Sequence, residues 1–267
     1  SIIMTTIMRS LSLLLIVGFW LPSCSWPVAQ SGSLSTATVV VSVAASLSDA
    51  VGDVANVFEK QTGIQVLVNA AGSQILATQI IEEIPVDVFV SADERQMTRT
   101  IARGKMDEGS YLQLLSNQLV VVVPSDRLMG ISRPDDLIAQ SVRRIALGDP
   151  EAVPGGVYAR EYLEKEGVWD VLKSKVVPTR NVRAALRAVE AGTVDAGVVY
   201  RTDARQSVDA VIAFDVPVGR GPRIIYPAAV STEPPNPESA AQFFLFLQTS
   251  TAQQIFEAYG FISLLAH

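Results

Sequence analysis

The sequence is nearly empty of the side chains that most catalytic and metal centres use. It has one histidine, His267 at the last position, and one cysteine, Cys24. Histidine triads and histidine metal clusters are thereby excluded, and so is an intramolecular disulfide. There is no G-x-x-x-x-G-K-[ST] phosphate loop, no G-x-G-x-x-G turn and no G-x-S-x-G elbow. Charge is sparse and acidic: 18% of residues are charged and the net charge is −6, with no clustered basic stripe, which argues against nucleic acid as a partner. No apolar run reaches the roughly 20 residues that a membrane span needs. Together these absences make catalysis the less expected occupation.

What is present begins with an address. Arg9, the apolar stretch "LSLLLIVGFWLP" from Leu11 to Pro22 and the small residues around Ser23 form the pattern of a secretory signal over 1–24. The mature protein is expected in the periplasm or another extracytoplasmic space. "Leu21-Pro22-Ser23-Cys24" resembles the lipobox of bacterial lipoproteins, with Pro22 departing from its pattern. Two readings stand: lipidation at Cys24, or a cysteine discarded with the signal. Residues 25–38, with "SGSLSTAT" from Ser31 to Thr38, read as a flexible tether.

The 267 residues, 49% of them hydrophobic, suffice for one large or two medium α/β domains. Short apolar runs alternate with segments of helical period, which predicts βα units and a mostly parallel sheet. Strands are expected at 39–43, 64–69, 86–91, 118–123, 144–147, 175–177, 196–200, 210–214 and 223–229. Helices are expected at 47–60, 74–83, 94–103, 156–166, 182–191, 237–249 and 251–259. In the first helix Leu47, Val51, Val54, Ala55 and Phe58 share one stripe. The run "QLVVVVP" from Gln118 to Pro124 predicts a strand buried on both faces, crossing between two lobes.

Four helix starts then recur in one style, each at the carboxyl end of a strand and each built from small or hydroxylic residues. "AASLSD" presents Ser46, "NAAGSQIL" presents Ser73, "DPEAVPGGVYAR" presents Gly155 and Gly156, and "PTRNVRAAL" presents Asn181 and Val182. A helix N-terminus carries unpaired N–H groups and about half a positive charge, so it holds an anion without any cationic side chain. Ligands of open α/β sheets settle outside the carboxyl ends of strands, where such starts converge. Each element also has a plain structural reading. Ser46 followed by Asp49 fits a capping box, Ser73 and Asn181 fit ordinary N-caps, Gly155-Gly156 fits a turn, and Tyr200 at a strand end fits a core residue. Only the set of them points to a ligand.

The segments "VSVAASLSDAVGDVANVFEKQTGIQV", "AAGSQILATQI", "PVDVFVSAD", "SNQLVVVVP", "ALGDPEAVPGGVYAREYL", "NVRAALRAVEAGTVDAGVVYRTDA" and "IFEAYGF" occur in order from Val39 to Phe261. Together they resemble the bacterial periplasmic molybdate-binding proteins, the substrate receptors of ABC importers. The resemblance implies an α/β fold of the type II periplasmic binding class, with two α/β lobes and a ligand cleft between them. It assigns the lobes to 39–117 plus 223–267 and to 118–222. It implies oxyanion contacts at Ser46, Ser73, Gly155, Val182 and Tyr200, with Gly155 and Val182 acting through main-chain N–H. It also implies molybdate or tungstate as ligand, a membrane permease as partner, a monomeric receptor, no cofactor and no enzymatic activity.

The residues add a reason for selectivity. Molybdate is a proton-free tetrahedral dianion, suited to N–H and hydroxyl donors all round. Monohydrogen phosphate carries a proton that wants an acceptor, and the nearest carboxylates, Asp49 and Asp149, read as a cap and a turn residue. Sulfate is also proton-free, so a receptor for sulfate or another tetrahedral oxyanion on the same fold is the alternative. Two further rivals are an enzyme using Asp87, Asp93 or Asp149 as acid or base, and a lipoprotein with a vestigial cleft.

Overall fold

The structure is a computed structural model that describes residues 37–127 and 130–265. The signal segment 1–24, Cys24, the tether up to residue 36 and His267 lie outside the described residues. Among the described residues the strands are β1 (Thr38–Ala44), β2 (Gln65–Ala71), β3 (Val88–Val90), β4 (Leu112–Ser116), β5 (Leu119–Pro124), β6 (Ile145–Gly148), β7 (Val176–Thr179), β8 (Ala196–Tyr200), β9 (Ala210–Asp215), β10 (Tyr226–Val230) and β11 (Ile262–Ser263). The α-helices are α1 (Ser48–Thr62), α2 (Ser73–Ile81), α3 (Glu94–Ala102), α4 (Pro154–Lys165), α5 (Trp169–Leu172), α6 (Val182–Glu190), α7 (Arg201–Ala204), α8 (Pro237–Phe246) and α9 (Ser250–Tyr259).

Two sheets organise these elements. One has the order β11-β4-β10-β3-β1-β2, and the other has the order β7-β6-β8-β5-β9. The chain passes from the first sheet to the second through Asn117 and Gln118, between β4 and β5, and returns between β9 and β10. The expectation of a mostly parallel sheet is corrected. β1 runs parallel to β2 and β3, and β6 runs parallel to β7 and β8, but the remaining ladders are antiparallel. The crossover rule governs strands joined by a local helix. β5 and β10 enter their sheets from the other sheet, so nothing local sets their direction.

Local sequence accounts for most elements. All of β5 is buried, in keeping with its continuous apolar run, and it lies between β8 and β9. α1 buries Ala50, Val51, Val54, Ala55 and Phe58 and ends at Gly63, whose φ of 74° is the left-handed cap that glycine adopts without strain. Phe58 meets the ring of Phe243 edge-on at 5.2 Å and that of Phe246 at 5.3 Å, which pins α8 to α1. Burying an aromatic ring of this size stabilises the fold by about 1.5–3 kcal/mol. α6 buries Val182, Ala185, Leu186 and Val189, a helical stripe facing the second sheet. Two strands were not expected, β4 and the short edge strand β11.

Candidate functional site

The five residues singled out in the sequence line one cavity. Its wall includes Ala44, Ala45 and Ser46 at the end of β1, Gly72 and Ser73 at the start of α2, and Val153, Pro154 and Gly155 at the start of α4. Asn181 and Val182 at the start of α6, Ala92, and Tyr200 at the end of β8 complete it. Both sheets therefore contribute carboxyl-end segments to the same spot. The cavity is small, with an empty volume of about 220 Å³.

Among the described residues the lining offers donors and no formal charge: no lysine, arginine, aspartate or glutamate belongs to it. Gly155 is the second residue of α4 and Val182 the first of α6, positions whose N–H groups have no partner within the helix. The Asn181 side chain accepts the N–H of Ala184 at 2.9 Å, so it is the N-cap expected and leaves the amide of Val182 to the cavity.

Both serines depart from their expected capping roles. A 3-10 turn over Ala45–Leu47 precedes α1, whose N-cap is Leu47 without a side-chain bond. Ser46 Oγ instead lies 2.9 Å from the hydroxyl of Tyr226. Asp49 does not close a capping box; its carboxylate accepts from Arg183 at 2.7 Å, across 134 residues of sequence. Ser73 is the first residue of α2 rather than its cap, and its Oγ accepts the N–H of Ala92 at 2.9 Å. With one lone pair so engaged, the hydroxyl proton of Ser73 is free for a ligand.

Tyr200 is 1% exposed, and its hydroxyl has no hydrogen-bond partner among the described residues. A buried unpaired phenol is costly unless something completes it. Burial pushes its pKa well above the ordinary tyrosine value, so it stays a protonated donor. The Tyr200 ring also sets the limit on Gly155, where an added Cβ would meet ring atoms at 3.5 Å, an ordinary contact. Gly156 is different, because a Cβ there would lie 1.9 Å from the carbonyl oxygen of Gly148. The glycine lets the start of α4 sit directly on β6.

The carboxylates considered as acids or bases serve the backbone. Asp87 accepts from the N–H of Val40 at 2.7 Å and from both nitrogens of Asn236 at 2.8 and 2.9 Å. Asp93 caps α3 by accepting from Gln96 N at 2.9 Å, and burial raises its pKa above the usual carboxylate value. Asp149 accepts from Glu151 N at 2.9 Å, the turn role expected. Among the described residues no helix is long and apolar enough to cross a membrane, and no group of three His, Cys, Asp or Glu side chains could hold a metal ion.

Tyr226 beside Ser46, and Asn117 behind it, were not expected from the sequence. The available signal was a hydroxyl in the apolar run "IIYPAAV", since a buried tyrosine needs a partner. Which partner it finds is not a local property.

Two α/β units meeting at a small cavity lined by strand ends and helix starts define a two-lobed solute receptor. The chain belongs to the family of bacterial extracellular solute-binding proteins, whose family model matches residues 39–262. It is 35% identical over 241 residues to the molybdate-binding protein ModA of Escherichia coli, covering 89% of this chain and 93% of that protein. It is 32% identical to ModA of Haemophilus influenzae, covering 85% and 91%. The solved periplasmic molybdate-binding protein of Azotobacter vinelandii superposes with a TM-score of 0.75 at 23% identity, over 86% of this chain and all of that one. The sulfate-binding protein SubI of Mycobacterium tuberculosis gives the same TM-score at 17% identity, over 85% and 87%. Both structures speak to the fold alone.

Proposed function

We propose that the protein is an extracytoplasmic receptor that binds molybdate, and tungstate with it, and delivers the anion to the permease of an ABC importer. The observation that carries this reading is the uncharged cavity: Ser46, Ser73, Gly155, Val182 and Tyr200 converge from both sheets with no carboxylate and no cationic side chain among them. Such a set grips a proton-free dianion with neutral dipoles. It offers no acceptor carboxylate for the proton of hydrogen phosphate. The relatives called molybdate-binding proteins support the choice of anion.

In this reading Ser46 and Ser73 belong to the lobe of 39–117 plus 223–267, and Gly155, Val182 and Tyr200 to the lobe of 118–222. The two bodies close over the ligand as a monomer without a cofactor, and the site performs no chemistry on the anion. The protein works outside the cytoplasm, either free or anchored through a lipid on Cys24, and mass spectrometry of the native N-terminus distinguishes the two. Calorimetry of the purified protein against molybdate, tungstate, sulfate and phosphate tests the assignment. One-to-one binding of molybdate and tungstate, with sulfate weaker and phosphate silent, is expected. Absence of heat with molybdate, or sulfate outcompeting it, defeats the assignment.

A further inference from the structure

Either hydroxyl could donate in the hydrogen bond between Ser46 and Tyr226, and the neighbours of Tyr226 favour one direction. Tyr226 is fully buried, and its hydroxyl has two hydrogen-bonding neighbours among the described residues, Ser46 Oγ at 2.9 Å and Asn117 Nδ2 at 3.2 Å. Asn117 is oriented by its other end, because its Oδ1 accepts the N–H of Gln118 at 2.8 Å. Its Nδ2 therefore faces the tyrosine, with its second hydrogen on Thr202 Oγ1 at 2.9 Å. An amide nitrogen is a donor only. The Tyr200 hydroxyl also stands near this phenol, but it has no hydrogen-bond partner among the described residues, which leaves Ser46 Oγ as the acceptor bonded to the phenolic proton. With that lone pair occupied, the serine proton is left for whatever fills the cavity.

We propose that Tyr226 and Asn117 are positioning residues, forming a one-way hydrogen-bond chain from Asn117 through Tyr226 to Ser46 that holds Ser46 as a donor toward the bound anion. The inference rests on the oxyanion reading above and extends it from the contacts to the groups that set their polarity. Ser73 receives the same treatment from the backbone, since the N–H of Ala92 occupies its oxygen. Both hydroxyls of one lobe thereby face the ligand as donors, and the site disfavours an anion that must itself donate a proton. A phenol is also a stronger donor than an aliphatic alcohol, so its bond to Ser46 strengthens the next bond in the chain.

Molybdate calorimetry on a double-mutant cycle tests the chain. Tyr226→Phe keeps the ring and removes the proton, and it is expected to weaken binding about tenfold. In the Ser46→Ala background the same change is expected to alter affinity by less than about twofold, because the group it acts through is gone. An equal loss in both backgrounds would mark Tyr226 as a packing residue and overturn the proposal. So would unchanged affinity in the Tyr226→Phe single variant. Asn117→Asp is a near-isosteric second probe that replaces the Nδ2 donor with an acceptor and draws the phenolic proton away from Ser46. It is expected to weaken molybdate at least as much as Tyr226→Phe, and wild-type affinity there overturns the chain even if Tyr226→Phe fails to fold. A wild-type protein that binds none of the four anions overturns the oxyanion reading and this inference with it. A wild-type protein that binds molybdate while the variants behave additively overturns this inference alone.

Discussion

Among the described residues, Ser46, Ser73 and Tyr200 bring the side-chain hydroxyls of the cavity wall, and in the proposed arrangement each keeps a proton to give. Removing one such donor from a charged ligand costs about 1–3 kcal/mol. Calorimetry should show losses of that size for Ser46→Ala and for Ser73→Ala; wild-type affinity in both would move the ligand elsewhere. The glycines divide in the opposite way from their neighbouring positions. Gly155→Ala should keep binding, since its Cβ meets Tyr200 at 3.5 Å, whereas Gly156→Ala should lower both affinity and Tm, since its Cβ would collide with Gly148. Burial raises Tyr200 and Tyr226 above their ordinary value, so both keep their protons as the solution becomes alkaline. Affinity for molybdate should accordingly stay level from about pH 7 to about pH 10, the ordinary tyrosine pKa. A fall centred below that range would mean that another group titrates in the site.

At the scale of elements, stability and binding separate. Phe58→Ala empties the contact between α1 and α8 and should cost about 3–5 kcal/mol in denaturant unfolding. The cavity residues are untouched by that change, so affinity in the folded fraction should persist. Most elements were legible because their periodicity is local: β8 falls at 196–200 as expected, and α6 begins at Val182. β4 was not, because its sequence "LQLLS" follows a turn and carries no β-branched signal. The mixed strand directions were illegible for a different reason, since they depend on where β5 and β10 dock after leaving the other sheet. In the site, the helix starts could be read but the partners of their side chains could not. Ser46 and Asp49 match a capping box by spacing, yet their partners are Tyr226 and Arg183, 180 and 134 residues away.

Across the whole molecule, the two sheets are bridged around the cavity by polar contacts that opening would break. Gln74 Nε2 donates to Arg180 O at 2.9 Å, Arg95 Nη1 donates to Glu151 O at 3.2 Å, and Arg183 pairs with Asp49 at 2.7 Å. Arg183 also pairs with the buried Asp203, so its guanidinium is held in place from its own sheet's side. Asp49→Asn should therefore speed molybdate dissociation in stopped-flow measurements while leaving the cavity donors intact; an unchanged rate would show that the bridge does not gate release. Ligand binding should also raise Tm, with about 2.7 kcal/mol of added stability at a ligand concentration 100 times Kd.

The central claim, that neutral donors from both lobes meet on one tetrahedral anion, is tested most directly by diffraction from crystals grown with tungstate, using anomalous scattering to locate the metal. A single peak is expected, enclosed by Ser46, Ser73, Gly155, Val182 and Tyr200, with its oxygens on their hydroxyl and amide groups. A peak at another site, or one coordinated by a lysine, an arginine or a carboxylate, would contradict it.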